Sequence, residues 1–351
     1  MSQLTRPDLD LLPTYVPGRV IPGAIKLASN EVPYGPLPGV VAAIAEAAQQ
    51  SHRYPDMAVV ALRDKLAERY GVAPERVGTG CGSVAMAEHL ARATCGTGDE
   101  IMFSWRSFEA YPIIAATTGA TSVRVPNTAT HGHDLDAMAA AVTDRTRMIL
   151  VCNPNNPTGT ALRRAELDAF LDAVPEQVLV VFDEAYREFV TDPDVPDAMA
   201  AYADRPNVVV LRTLSKAWGM AGLRVGFIVG SPEVATTVRK VITPFSTSGV
   251  AQAAALAALD QVDEMTRRAM LVIAERERVL GAIRQFVADA PESQANFVWL
   301  PLGDESAAFA AAMEAEGVIV RPFQGDGVRV TIGTPDENDA FLAAAQKALS
   351  R

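Results

Sequence analysis

Between residues 100 and 230 the chain alternates two apolar patterns. Short unbroken runs predict strands at 100–103, 121–125, 147–152, 178–182, 208–212 and 225–229. Apolar positions recurring every three or four residues predict helices at 84–95, 107–117, 134–142 and 163–173, set among the earlier strands. Runs such as MILV, VLVVF and VVVL leave no polar face. Such strands are buried on both sides, as in a mostly parallel sheet covered by helices. Two further helical patterns at 40–49 and 59–70 precede them, the second closed by Gly71. Together these predict an α/β fold, a three-layer sandwich with a mostly parallel sheet, over residues 37–245.

The pattern then changes. Alanine-rich helical stretches cover 249–260 and 263–288, and short strand patterns follow at 296–300, 318–320 and 328–332. A helix separates the first two strands and another ends the chain. This predicts a smaller α+β domain over 246–351. The proline- and glycine-rich segment 1–36 is expected to join it as an extended arm.

Composition narrows the function. Of 351 residues, 49% are hydrophobic and 21% charged, which suits a folded chain of about two domains. The net charge of −11 opposes binding to phosphate backbones or anionic lipid, so no nucleic-acid or membrane partner is expected. No run of 18 apolar residues predicts a membrane span, and the first residues lack a signal-peptide core. Cys81, Cys95 and Cys152 show no CxxC spacing, which suits reduced thiols and a cytoplasmic setting. His131 and His133 form the one close histidine pair, read as a solvated loop, so no metal site is expected.

The polar residues at strand ends carry the chemistry. Lys216, in TLSKAWG, follows the run at 208–212, where open α/β sheets bind ligands. A desolvated lysine there can form a Schiff base, whereas a solvated loop lysine is the bland alternative. Arg224 lies eight residues on, and Thr213 and Ser215 bracket the lysine. A guanidinium with hydroxyls can clamp phosphate, although a strand-end salt bridge would also explain Arg224. Asp183 ends the run VLVVF, where it could hold a protonated ring nitrogen or merely cap a helix. Tyr186 follows, placed to meet a ring hydroxyl. In CNPNNPTG, prolines and a glycine force a turn that presents Asn156. GTGCGS, read as a glycine-rich turn before the helix at 84–95, offers a helix N-terminus to a phosphate. These groups together match pyridoxal 5′-phosphate, with its aldehyde, basic ring nitrogen, ring hydroxyl and phosphate ester.

NPNNPTG, DEAY, SKAWG and GLRVG, with ASNE at 28–31 and VRVT at 328–331, resemble fold type I pyridoxal-phosphate aminotransferases across essentially the whole chain. The resemblance is greatest to the histidinol-phosphate aminotransferase group. It implies that Lys216 carries the cofactor as a Schiff base and moves the substrate's α-proton. Asp183 would pair with the pyridine nitrogen, and Asn156 and Tyr186 would hold the ring hydroxyl. Ser83, Val84, Thr213, Ser215 and Arg224 would hold the phosphate. Phe108 would stack on the ring, at a position where many relatives carry tyrosine. Tyr54 would reach the cofactor of a neighbouring subunit, which implies a homodimer with composite active sites. Arg329 would bind the substrate carboxylate, with Arg321, Asn30 and Tyr15 nearby.

Segments around 16–18, 80–83, 105–109 and 294–301 are similar to the aromatic (phenylalanine) aminotransferase branch of that group. The expected reaction moves the amino group of phenylalanine or tyrosine to a 2-oxo acid such as 2-oxoglutarate. Histidinol phosphate is the alternative donor. A decarboxylating lyase and a non-enzymatic regulator share the scaffold and are the readings from other classes.

Overall fold

The computed structural model describes residues 4–6, 9, 10, 12 and 21–349. Its elements run β1 (Ile25–Lys26), α1 (Val40–Ala48), α2 (Val60–Tyr70), β2 (Val77–Gly80), α3 (Gly82–Thr94), β3 (Glu100–Trp105), α4 (Ala110–Thr118) and β4 (Thr121–Pro126). Then come α5 (Leu135–Ala140), β5 (Thr146–Cys152), α6 (Arg164–Ala173), β6 (Leu179–Asp183), α7 (Ala198–Tyr202), β7 (Val208–Thr213), β8 (Gly226–Val229) and α8 (Pro232–Val241). The C-terminal part holds α9 (Gly249–Leu259), α10 (Val262–Ile283), β9 (Phe297–Leu300), α11 (Ser306–Ala315), β10 (Val318–Ile319), β11 (Arg321–Phe323), β12 (Gly327–Thr331) and α12 (Pro335–Leu349).

Seven strands form the main sheet in the order β2-β8-β7-β6-β5-β3-β4. The strands are parallel except β8, which runs against both neighbours. Side chains alternate between two buried cores, as the period of two in a strand requires. In β5, Met148, Leu150 and Cys152 join a core shared with α3 and α4. Ile149 and Val151 face the other core, with α2, α5, α6 and α9. Helices therefore cover both faces, as the continuous apolar runs predict.

The C-terminal part also holds a three-stranded antiparallel sheet, β11-β12-β9. The segment from residue 21 crosses to this part of the chain, where β1 pairs with β10 through Ile25↔Val318 and Lys26↔Ile319.

The structure corrects several expectations. The glycine-rich stretch expected as a turn contains a strand, β2, whose single large apolar residue is Val77. Helices α7 and α8 were not predicted, although Ser231 caps α8 and Pro232 opens it. The helix predicted to reach 288 ends at Ile283. His133 is buried rather than solvated, and burial lowers its pKa to about 4. Among the described residues no group of three or more His, Cys, Asp or Glu side chains is placed to hold a metal. No helix among them is long and apolar enough to cross a membrane.

Candidate active site

One rim of the main sheet gathers the polar residues. Strands β5, β6 and β7 end there, and β8, running the other way, begins there. Asn156, Asp183, Thr213, Ser215, Lys216 and Arg224 line one cavity at this rim. The N-terminus of α3 contributes Ser83 and Val84, and the segment before α4 contributes Phe108. Asn30, Tyr186, Arg321 and Arg329 complete the set.

The asparagines after β5 divide the work. Asn153 Oδ1 accepts from the Leu162 N–H at 2.8 Å. Asn155 Nδ2 donates to Thr158 Oγ1 at 2.9 Å, and its Oδ1 accepts from Ser107 Oγ at 2.8 Å. These bonds brace the turn and leave Asn156 facing the cavity, where its Oδ1 accepts from Arg329.

Lys216 lines the cavity half-buried, its Nζ donating to the Ser29 carbonyl oxygen at 3.2 Å. Burial, then the positive fields of Arg329 and Arg224, lower its pKa to about 7, against the opposing pull of Glu31 and Asp183. Asp183 is pushed the other way. Burial raises its carboxyl to about 6, while bonds from Tyr111 and the Ala185 N–H hold it down. An amine close to neutrality thus shares the cavity with a buried carboxylate. The Tyr186 hydroxyl accepts from Asn30 Nδ2 at 2.9 Å, and burial pushes its pKa up. Asn30 is tied to β12 through its N–H to Thr331 Oγ1 at 2.9 Å.

Beside the lysine lies a cradle for an anion. Arg224 adopts a left-handed backbone, and its Nη1 donates to Ser215 Oγ at 3.2 Å. The Ser215 N–H donates to Thr213 Oγ1 at 3.1 Å. Glycines make the close approach possible. A Cβ on Gly82, at φ +84°, would collide with the Arg224 guanidinium. A Cβ on Gly226 would collide with the Ser83 nitrogen. Guanidinium, hydroxyls and the free N–H groups of a 13-residue helix therefore converge. This donor set fits pyridoxal 5′-phosphate: a cradle for the phosphate, an amine for the aldehyde and a buried carboxylate for the ring nitrogen.

Arg329 is buried, donates to the Ala28 carbonyl at 2.8 Å, and lies 5.5 Å from the Phe297 ring centroid and 5.7 Å from that of Phe323. Arg321 Nη2 donates to Glu109 Oε2 at 2.7 Å. Two expected residues stand apart. Tyr54 is 82% exposed, outside this cavity, and stacks on Phe245 with ring centroids 4.5 Å apart. Tyr15 lies outside the described residues. The sequence reading missed Tyr111, whose hydroxyl is bonded to Asp183, and the cavity residues Ser29, Glu109 and Phe323. The patterns around Tyr111 and Phe323 are those of ordinary core side chains.

The chain is 56% identical over 351 residues to the aromatic amino acid aminotransferase of Rhodococcus jostii, spanning 100% of this chain and 98% of that one. The protein of the same name from Streptomyces avermitilis is 55% identical over 350 residues, with 99% and 98% covered. A crystal structure of histidinol-phosphate aminotransferase from Sinorhizobium meliloti in complex with pyridoxal-5′-phosphate matches with a TM-score of 0.88 and 28% identity, over 100% of this chain and 98% of that one. Residues 22–344 match the family described as aminotransferase class I and II, and the chain belongs to that family.

Proposed function

We propose that the protein transfers the amino group of an aromatic L-amino acid, phenylalanine or tyrosine, to a 2-oxo acid such as 2-oxoglutarate, with pyridoxal 5′-phosphate as cofactor. The observation that carries this reading is the single cavity shared by Lys216, Asp183, Arg224 and Arg329. The relatives at 55–56% identity that bear the name aromatic amino acid aminotransferase support the donor class.

When bound, the cofactor supplies an aldehyde and an aromatic ring that takes up electron density from the substrate's α-carbon. Lys216 would hold that aldehyde covalently. Once displaced by the donor's amine, its Nζ would take the α-proton and deliver it to the carbon that had been the aldehyde, and a pKa near 7 suits both the taking and the giving. Asp183 would keep the ring nitrogen protonated. Asn156 and Tyr186 would hold the ring hydroxyl, with Phe108 against the ring face. Ser83, Val84, Thr213, Ser215 and Arg224 would hold the phosphate. Arg329 would bind the substrate's carboxylate, with Asn30, Arg321 and Tyr15 around it.

The reading extends to assembly and place. Tyr54, outside its own cavity, would serve the cofactor of a partner subunit in a homodimer. The catalytic domain would be 37–245, with 1–36 and 246–351 forming the smaller one. Three free thiols, at Cys81, Cys95 and Cys152, suit a reducing cytoplasm.

Histidinol phosphate is the competing donor. Its phosphate would need a cationic site, which Arg321 and Arg329 could form together. A donor panel with purified protein separates the two. The aromatic reading expects a higher kcat/KM for phenylalanine. A tenfold preference for histidinol phosphate, about 1.4 kcal/mol of transition-state discrimination, would replace it.

A further inference from the structure

We infer that Glu109 sets the donor specificity of this cavity by cancelling the charge of Arg321, which biases the site toward substrates whose side chain carries no anion. The inference rests on the aminotransferase reading above. Glu109 immediately precedes α4, and its Oε2 accepts from Arg321 Nη2 at 2.7 Å across 212 positions of sequence. Both residues line the cavity, beside Phe108 and Phe323.

The small sheet explains why that pair matters. Arg321 lies directly opposite Arg329 in the β11–β12 ladder, so both side chains leave the same face. Phe323 has the Arg321 guanidinium 5.6 Å and the Arg329 guanidinium 5.7 Å from its ring centroid. Two guanidiniums side by side would suit a substrate with two anions, a carboxylate and a distal carboxylate or phosphate. Glu109 changes that field. The side chains of Arg321 and Glu109 are 15% and 32% exposed, so water screens the pair only in part. A distal anion, that of a 2-oxoglutarate acceptor included, must displace the Glu109 carboxylate or sit beside it, and either weakens its binding relative to an uncharged side chain without shutting it out. An aromatic side chain meets no such charge and has Phe323 to pack against.

The test uses holoenzyme and two unreactive carboxylates, 3-phenylpropionate with one anion and glutarate with two, titrated by calorimetry. In Glu109→Gln the ratio of the glutarate Kd to the 3-phenylpropionate Kd should fall fivefold or more. In the Glu109→Gln, Arg321→Gln double variant that fall should disappear. A smaller fall in the single variant, or a fall that persists in the double variant, would overturn the inference. Glu109→Ala carries the same expectation if the glutamine variant does not fold. Failure of the aromatic reading is seen separately, as wild-type preference for histidinol phosphate over phenylalanine, and leaves the ratio test intact.

Discussion

Tyr111 donates its phenolic O–H to Asp183 Oδ2 at 2.9 Å, linking α4 to the carboxylate at the rim of the sheet. Both residues are buried, so bulk water does not compete for the bond. The Ala185 N–H reaches the other oxygen at 3.3 Å. Both bonds favour the ionised carboxylate against the burial that disfavours it. Phe108 meets Tyr111 edge-on with centroids 5.5 Å apart, so one aromatic pair braces both the carboxylate and the cavity wall.

Tyr111→Phe keeps the ring and removes the donor. The Asp183 pKa should then rise above its present value of about 6. The neutral acid would persist to higher pH, so the acidic limb of the kcat/KM profile should move up in pH. A hydrogen bond to a charged group contributes about 1.5–3 kcal/mol, so cofactor affinity should fall by about tenfold or more. Fluorescence titration of the apoprotein measures it. Wild-type affinity with an unmoved pH profile would place Tyr111 outside the machinery.

The strands and the strand-end residues were legible for one reason. Met148–Val151 and Val208–Leu211 are apolar on both faces, and once such a strand is placed, the polar residue ending it has its position. The places of Asp183, Lys216 and Asn156 follow from the strands that precede them. Strand β2 was hidden because Val77-Gly78-Thr79-Gly80 has no apolar run, and its pairing with β8 supplies the order. The reversed direction of β8 has a signal in the length of its connection to β7. Residues 214–225 contain no helix long enough for a parallel crossover. The ion pair between Glu109 and Arg321 had no local signal, since tertiary folding alone brings these residues together.

Lys216 offers a pH test on the apoprotein. The neutral amine attacks an aldehyde, and its fraction grows as pH rises through the pKa. Reconstitution with pyridoxal 5′-phosphate should therefore accelerate up to about pH 7 and then level off. A solvated lysine would keep accelerating toward its ordinary pKa of about 10.4. Borohydride reduction and peptide mass mapping should place the label on Lys216, and Lys216→Ala should take no label there and lose at least ~10²-fold in turnover. Label on another lysine in the wild type would displace Lys216 from its role.

The cradle depends on Gly226 having no side chain. A Cβ there would meet the Ser83 nitrogen and the Gly82 carbonyl carbon, both backbone atoms that cannot step aside. Gly226→Ala should displace the start of α3 from β8. Overpacking of this kind costs about 1–3 kcal/mol, so the Tm should drop by a few degrees. Cofactor affinity should fall further than stability, because the helix N–H groups would lose their aim. Full cofactor retention at a wild-type Tm would show that α3 does not form the cradle.

Tyr54 carries the case for a composite site. It is 82% exposed, stacks on the half-exposed Phe245, and has exposed Met57 and Val60 close by in sequence. Large apolar side chains clustered at a surface mark an interaction face. In the proposed homodimer, Tyr54 of one subunit serves the phosphate held by the other. Mixing Lys216→Ala subunits with Tyr54→Phe subunits distinguishes this from a self-contained monomer. Each mixed dimer would then have one site with both lesions and one site with neither. Random assortment at equal amounts puts intact sites at about a quarter of the total. Activity of the mixture should therefore exceed the mean of the two separate variants after subunit exchange. Sedimentation should show a dimer throughout, and an active wild-type monomer, or a mixture no better than its parts, would assign Tyr54 to its own surface alone.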